Sequence, residues 1–198
     1  MGFRALRVIN EDFIAPGAGF GKHPHRDMEI LTYVLEGGLA HSDSVGHTSV
    51  LRPGHIQRMS AGTGVQHAEH NASETASVHL LLVWLEPDAA GHPPSYEELD
   101  LGPDGARDRL RQIAAPDGAD GATTWHADAR LFAARPTADT ELDHELAPGR
   151  HAWVQVARGR IALNGTLLGP GDGAAVSDES HLACVAAEDA EFLLFDLA

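Results

Sequence analysis

Residues 23–70 read HPHRDMEILTYVLEGGLAHSDSVGHTSVLRPGHIQRMSAGTGVQHAEH, and the fold class follows from this stretch. Its centre, Ile30-Leu31-Thr32-Tyr33-Val34-Leu35, is apolar on both faces and stops at Glu36-Gly37-Gly38, the pattern of a buried strand and its turn. Ser49-Val50-Leu51 then runs into the turn signal Arg52-Pro53-Gly54. Pairs of ligand-type side chains stand at the two ends. His23 and His25 are two residues apart, as are His67 and Glu69, and on extended chain such neighbours point to one face. Pro24 keeps the first pair extended, while Gly62-Thr63-Gly64 permits a sharp re-entry before the second. His67 follows His25 by 42 positions with room for about three strands, a separation that in a small barrel returns the chain to a neighbouring strand. Three imidazoles and one carboxylate then converge. That donor set suits Fe(II), Ni(II), Cu(II), Co(II) or Zn(II) and does not select among them. An open coordination position is what makes such a site catalytic.

Outward from this stretch the punctuation stays all-β. Val78 to Leu85 is a second apolar run, closed by Glu86-Pro87-Asp88. From Pro87 to about Gly121 the chain is rich in Pro, Gly, Asp and Arg, with a short helix expected around Ser95 to Leu99. Strand rhythm resumes at Trp125 to Ala134 and Ala152 to Ala157, Asn164-Gly165 marks a hairpin after Ile161-Ala162-Leu163, and Glu191 to Leu197 closes the chain. The halves echo each other. Residues 29–37 lie over 151–159, and Arg52-Pro53-Gly54-His55 lies over Gly169-Pro170-Gly171-Asp172. This predicts two copies of one small β-barrel, with domains at 1–90 and 122–198 and a connection at 91–121.

Composition excludes more than it assigns. The 198 residues carry a formal charge of −15, and no basic stripe exists to hold a phosphate backbone or an anionic membrane surface. The longest apolar stretch, Leu80 to Leu85, is far too short to span a bilayer. The amino-terminal residues hold no signal-like apolar core, and Cys184 is the single cysteine, so a cytoplasmic protein is expected. Cys184 sits in an apolar strand pattern and reads as a buried, inert thiol. Gly17-Ala18-Gly19-Phe20-Gly21 lacks the strand-then-helix context of a dinucleotide loop. Nine of the 13 histidines fall before residue 100, a lopsidedness that points to a site rather than to compositional drift.

The string from His23 to His70 resembles the paired motifs of the cupins and, more closely, the amino-terminal domain of the pirin family, especially the bacterial pirin-like quercetin 2,3-dioxygenases. The likeness continues through WLEPDAAGHPPSYEEL and EFLLFDL, so it covers essentially the whole chain. It implies an all-β protein of two tandem jelly-roll barrels facing each other, with metal in the first barrel only. It also implies His23, His25, His67 and Glu69 as ligands of one divalent transition metal, with iron expected ahead of nickel, copper, cobalt, zinc or manganese. Many cupins take their carboxylate from the first motif, so Glu29 is the alternative ligand, although a hydrogen-bonded residue at a strand start is the favoured reading of it. The activity implied is oxygen-dependent cleavage of the central ring of a flavonol such as quercetin, with release of CO and Glu69 as the base that takes the substrate proton. The partners expected are therefore a flavonol-like aromatic and O2, with no nucleic acid and no membrane. The alternative is a metal-responsive regulator that binds a transcription factor or a metabolic enzyme. Members of the family begin a few dozen residues earlier, so the amino-terminal segment is expected to be shortened.

The remaining histidines carry blander expectations. His41 and His47 belong to a hairpin, His70 faces away from Glu69, and His55 is a solvent-facing turn residue. His79 opens an apolar strand, and His151 and His181 stand alone in a metal-free second barrel. Either His41 or His79 is expected to orient a metal ligand from behind.

Overall fold

The computed structural model describes residues 2–198, and the chain divides into two compact units, Met1–Gly102 with Thr123–Ala127, and Pro103–Ala122 with Asp128–Ala198. The first unit contains β1 (Leu6–Ile14), β2 (Gly19–His25), β3 (Glu29–Glu36), β4 (Leu39–Asp43), β5 (Thr48–Leu51), β6 (His55–Ser60), β7 (Val65–Asn71), β8 (Val78–Leu85) and β9 (Ser95–Asp100). They form two antiparallel sheets ordered β1-β8-β3-β6-β9 and β2-β7-β4-β5. The two-residue strand β11 (Thr123–Thr124) returns to this unit. The all-β architecture expected from the punctuation is the one observed. Among the described residues no helix is long and apolar enough to cross a membrane.

The expected helix over Ser95 to Leu99 is instead strand β9, paired with β6 from Ser60↔Ser95 to His55↔Asp100. Tertiary demand explains the difference. Arg58, 1% exposed, points its guanidinium at Ser60, Ser95 and the carboxylate of Glu97, so the edge of the sheet needs an acid at the position opposite it. A buried cation without that partner costs several kcal/mol, far more than the weak helix propensity of Ser-Tyr-Glu-Glu-Leu. Glu97 also accepts from Thr124, which ties β11 to β9.

The second unit contains β10 (Arg111–Ala115), β12 (Ala129–Ala134), β13 (Glu141–Glu145), β14 (His151–Arg158), β15 (Ile161–Leu163), β16 (Thr166–Leu168), β17 (Gly173–Val176), β18 (His181–Ala186) and β19 (Glu191–Leu197). Here the order is β10-β12-β19-β14-β17 in one sheet and β13-β18-β15-β16 in the other. Strand for strand, β12 to β19 repeat β1 to β8. The sequence echo is structural. Gly37 ends β3 at φ 77° and Gly159 ends β14 at φ 66°. A Cβ on Gly37 would stand 2.7 Å from the Ser77 carbonyl oxygen, and one on Gly159 2.1 Å from that of Asp189, so both turns require glycine. Gly54 and Gly171 likewise turn at φ 90° and 82°. Asn164 and Gly165 form the two-residue hairpin with positive φ at both positions, joining Leu163 to Thr166.

Packing differs between the units. In the first, one apolar cluster (Ile14, Val34, Leu39, Leu51, Val78, Leu80) and a second (Ile30, Met59, Ala61, Val65) are separate, with Leu82 packed against both. In the second, one cluster runs from sheet to sheet, including Leu142, Val154, Leu163, Leu182, Cys184, Phe192 and Leu194.

Candidate metal centre

Strands β2 and β7 carry the site. They pair antiparallel with His23 directly opposite His67 and His25 opposite Val65. A register shift between Phe20 and His23 gives β2 one extra residue, so Phe20 stands opposite Glu69. The bulge re-aims the end of β2 while His23 and His25 keep their common face. The ring of His23 lies 4.8 Å from that of His25 and 4.4 Å from that of His67. One ligand atom from each of His23, His25 and His67 falls within 4.8 Å of the others, and the Nε2 atoms of His23 and His67 are 3.0 Å apart.

Tautomers follow from the partners. Nδ1 of His23 donates to the Gly21 carbonyl at 2.8 Å, which leaves its Nε2 lone pair facing inward. Burial pushes His67 down to about 4, and the neighbouring imidazoles add to that, although the Glu69 charge opposes it. His25 is lowered by burial first and by His23 second. Neutral imidazoles at ordinary pH are the form a metal needs.

Glu69 is 3% exposed. Its Oε1 lies 3.4 Å from Gln57 Nε2, 3.5 Å from Thr32 Oγ1 and 3.8 Å from His41 Nδ1. Burial raises its pKa, but His41, His67 and Gln57 outweigh that and hold the carboxyl below its ordinary value. Glu69 thus shares a second close group with His41 and His67, and is not in the group of His23, His25 and His67. His41 is itself held by Asp43, whose Oδ2 is 3.5 Å from Nε2, and the Tyr96 ring stacks on it. Asp43 is fixed in turn by the backbone amides of Val45, Gly46 and His47. His41 is the histidine behind the site. His79 instead meets Glu11 at 2.8 Å under the ring of Phe13.

The alternative ligand Glu29 is elsewhere engaged. It is 1% exposed and accepts from Ser60 Oγ at 2.7 Å, and burial pushes its pKa up. His70 is exposed, as expected from alternation, and His47 is bound to Asp43. In the second unit His144 meets buried Asp196 at 3.1 Å, and Cys184 is buried with its thiol pushed up to about 12. Among the described residues, both groups of three or more ligand-type side chains lie in the first unit.

A cavity of about 210 Å³ opens beside the three imidazoles. His23, His25, His67 and Glu69 form one wall, while Asn10, Asp12, Ile30, Leu82 and Trp84 of the facing sheet form another, with Phe20 beside them. Sequence reading missed Thr32, Gln57, Asp12 and Trp84. The signal available was a polar residue at an inward position of an otherwise apolar strand, as Thr32 is in Glu29–Glu36.

The chain matches the pirin family model over residues 1–85 and the model of the quercetinase C-terminal cupin domain over residues 112–197. It is 43% identical over 197 residues to the quercetin 2,3-dioxygenase of Escherichia coli K12, covering 100% of this chain and 84% of that protein. Among solved structures it is similar to Escherichia coli YhhW, with a TM-score of 0.96 at 43% identity over 100% of this chain and 83% of that one. The bacterial pirin YhhW in complex with nickel(II) matches with a TM-score of 0.93, again at 43% identity, covering 100% and 84%.

Proposed function

The chain belongs to the pirin family, and from that membership we propose that it is a metal-dependent dioxygenase that cleaves a flavonol such as quercetin with O2. The observation that carries the reading is the convergence of His23, His25 and His67 on one point beside a mainly apolar cavity. These residues fit a divalent transition metal. Three nitrogen donors and a buried carboxylate match a borderline ion, and the Gly21 carbonyl presets one tautomer. His23, His25, His67 and Glu69 would hold the ion. Once bound, it would supply Lewis acidity toward the substrate hydroxyl and a centre at which O2 reacts. The same donors serve iron and nickel, and the Escherichia coli relative was crystallised with nickel.

The chain's own residues account for the rest. Glu69, kept ionised by His41, His67 and Gln57, takes the proton of the flavonol hydroxyl that faces the site. Thr32 and Gln57 hold that carboxylate in place from behind. Ile30, Leu82 and Trp84 line the cavity with apolar surface, which excludes water and suits a flat aromatic ring.

The test is oxygen-dependent loss of quercetin absorbance, with CO measured as product, by protein loaded separately with iron and with nickel. Activity is expected in at least one loaded form, with His25→Ala losing metal and turnover together. Glu69→Gln should lose turnover at least a hundredfold, the range for a missing general base. Turnover unchanged in both variants sinks the assignment.

A further inference from the structure

The two barrels act as controls for each other at the cavity. Pairing registers align them residue by residue. Ile30↔Trp84 on β3 and β8 corresponds to Ala152↔Asp196 on β14 and β19. Asn10↔Leu82 corresponds to Phe132↔Leu194, and Asp12↔Leu80 to Ala134↔Phe192. At the last two places the second barrel uses Phe132 and Ala134, which belong to or pack on its apolar cluster. The fold therefore has no need of a polar side chain there, yet the first barrel carries Asn10 and Asp12, both facing the cavity.

The acid is placed at some cost. Asp12 is half-buried and its pKa is raised, by burial first and by the charge of Glu69 second. Beside it the ring of Trp84, packed T-shaped against His25 with centroids 5.1 Å apart, gives the cavity an apolar wall. Natural proteins keep a polar side chain at such a cost mainly where function repays it.

We infer that Asp12 reads an outer hydroxyl of the organic substrate. Its carboxylate accepts from a phenolic hydroxyl, while the apolar wall beside it packs against the ring. The ligand class is thus a flat aromatic that carries a hydroxyl on an edge other than the one turned to the metal, which a lone salicylate-sized ring does not provide. This rests on the flavonol reading above and deepens it.

Binding rather than turnover tests it. Protein loaded with zinc(II) is titrated without oxygen by calorimetry against quercetin and against 3-hydroxyflavone, which keeps the carbonyl and the 3-hydroxyl but lacks the outer hydroxyls. Asp12→Ala is expected to weaken quercetin about tenfold, the worth of one hydrogen bond to a charged group, and to leave 3-hydroxyflavone unchanged. Asp12→Asn, which keeps the shape, shows the same selectivity with a smaller loss. Zinc content is expected to stay at the wild-type level in both variants. Equal binding by wild type and variants, or equal weakening of both ligands by the Asp12 variants, overturns the assignment of Asp12. A zinc-loaded wild type that binds neither ligand instead removes the flavonol reading, and this inference with it, before any variant is compared.

Discussion

Two barrels of one topology have opposite interiors. In the first, β7 presents His67 and Glu69 inward and β4 presents His41. The pairing of β15 with β18 sets Leu163 opposite Cys184, where β4 sets His41 opposite Glu69. By the same register Leu182 stands at the place of His67, and all three replacements join one apolar cluster. The second barrel keeps one imidazole of this kind, His144, opposite Leu182, and ties it to Asp196, which Arg150 also contacts. A cupin frame is stable with a filled core, so the polar centre of the first barrel is a departure from what folding requires.

That contrast can be broken from either side. The largest effect is expected from His67→Leu, which copies Leu182 into the first barrel. It should abolish stoichiometric metal binding, measured by metal analysis after dialysis, because it removes a ligand outright and exceeds the ~10–100-fold typical of an outer partner. The melting temperature of the metal-free protein should hold or rise, since the buried imidazole is replaced by an apolar side chain of similar size. Retention of metal would break the correspondence.

Next in size is Arg150→Ala in the second barrel. Asp196 is 2% exposed and depends on Arg150 and His144, which overcome the effect of burial and hold its pKa down. Removing the cation leaves a buried carboxylate short of a partner, at about 3 kcal/mol. Denaturant unfolding should show the loss while metal binding is untouched.

The smallest effect is graded with pH and differs between barrels. Burial pushes the His67 imidazole down to about 4 in the folded chain, below its ordinary 6.5, so between those values the unfolded chain binds more protons. Stability of the metal-free first barrel therefore falls as pH drops from 6.5 toward 4. Asp196 has the opposite displacement, with a folded value below 3.8. Its contribution is intact above 3.8 and disappears only as pH falls through that lower folded value. Amide hydrogen exchange followed at pH 7, 5.5 and 4 should show β2 and β7 losing protection before β13 and β18. Simultaneous loss in both barrels would remove the asymmetry.

Much of this was legible in residue order. Alternation, apolar runs and the glycine turns at Gly37 and Gly159 announce strands and their repetition, because each is a local constraint on backbone and face. The pairs His23/His25 and His67/Glu69 were visible for the same reason, since spacing by two fixes a common face. The strand at Ser95–Asp100 was not legible, because its conformation answers to the buried Arg58 on another strand. Nor was the division of labour around Glu69. Whether His41 or His79 stands behind it depends on which sheet each strand joins, and β4 pairs with β7 whereas β8 pairs with β1 and β3.

The amino-acid order thus determines the all-β class, the doubled barrel and the four ligand-type residues proposed for the metal, all of which rest on local periodicity and turn chemistry. The register between strands far apart in the chain decides the remainder. It brings His23 face to face with His67, sets Glu69 against His41 rather than among the other three, and places Asp12 and Trp84 across the cavity from them. Such pairings are chosen by burial and charge summed over two sheets, a balance that no short stretch of sequence contains.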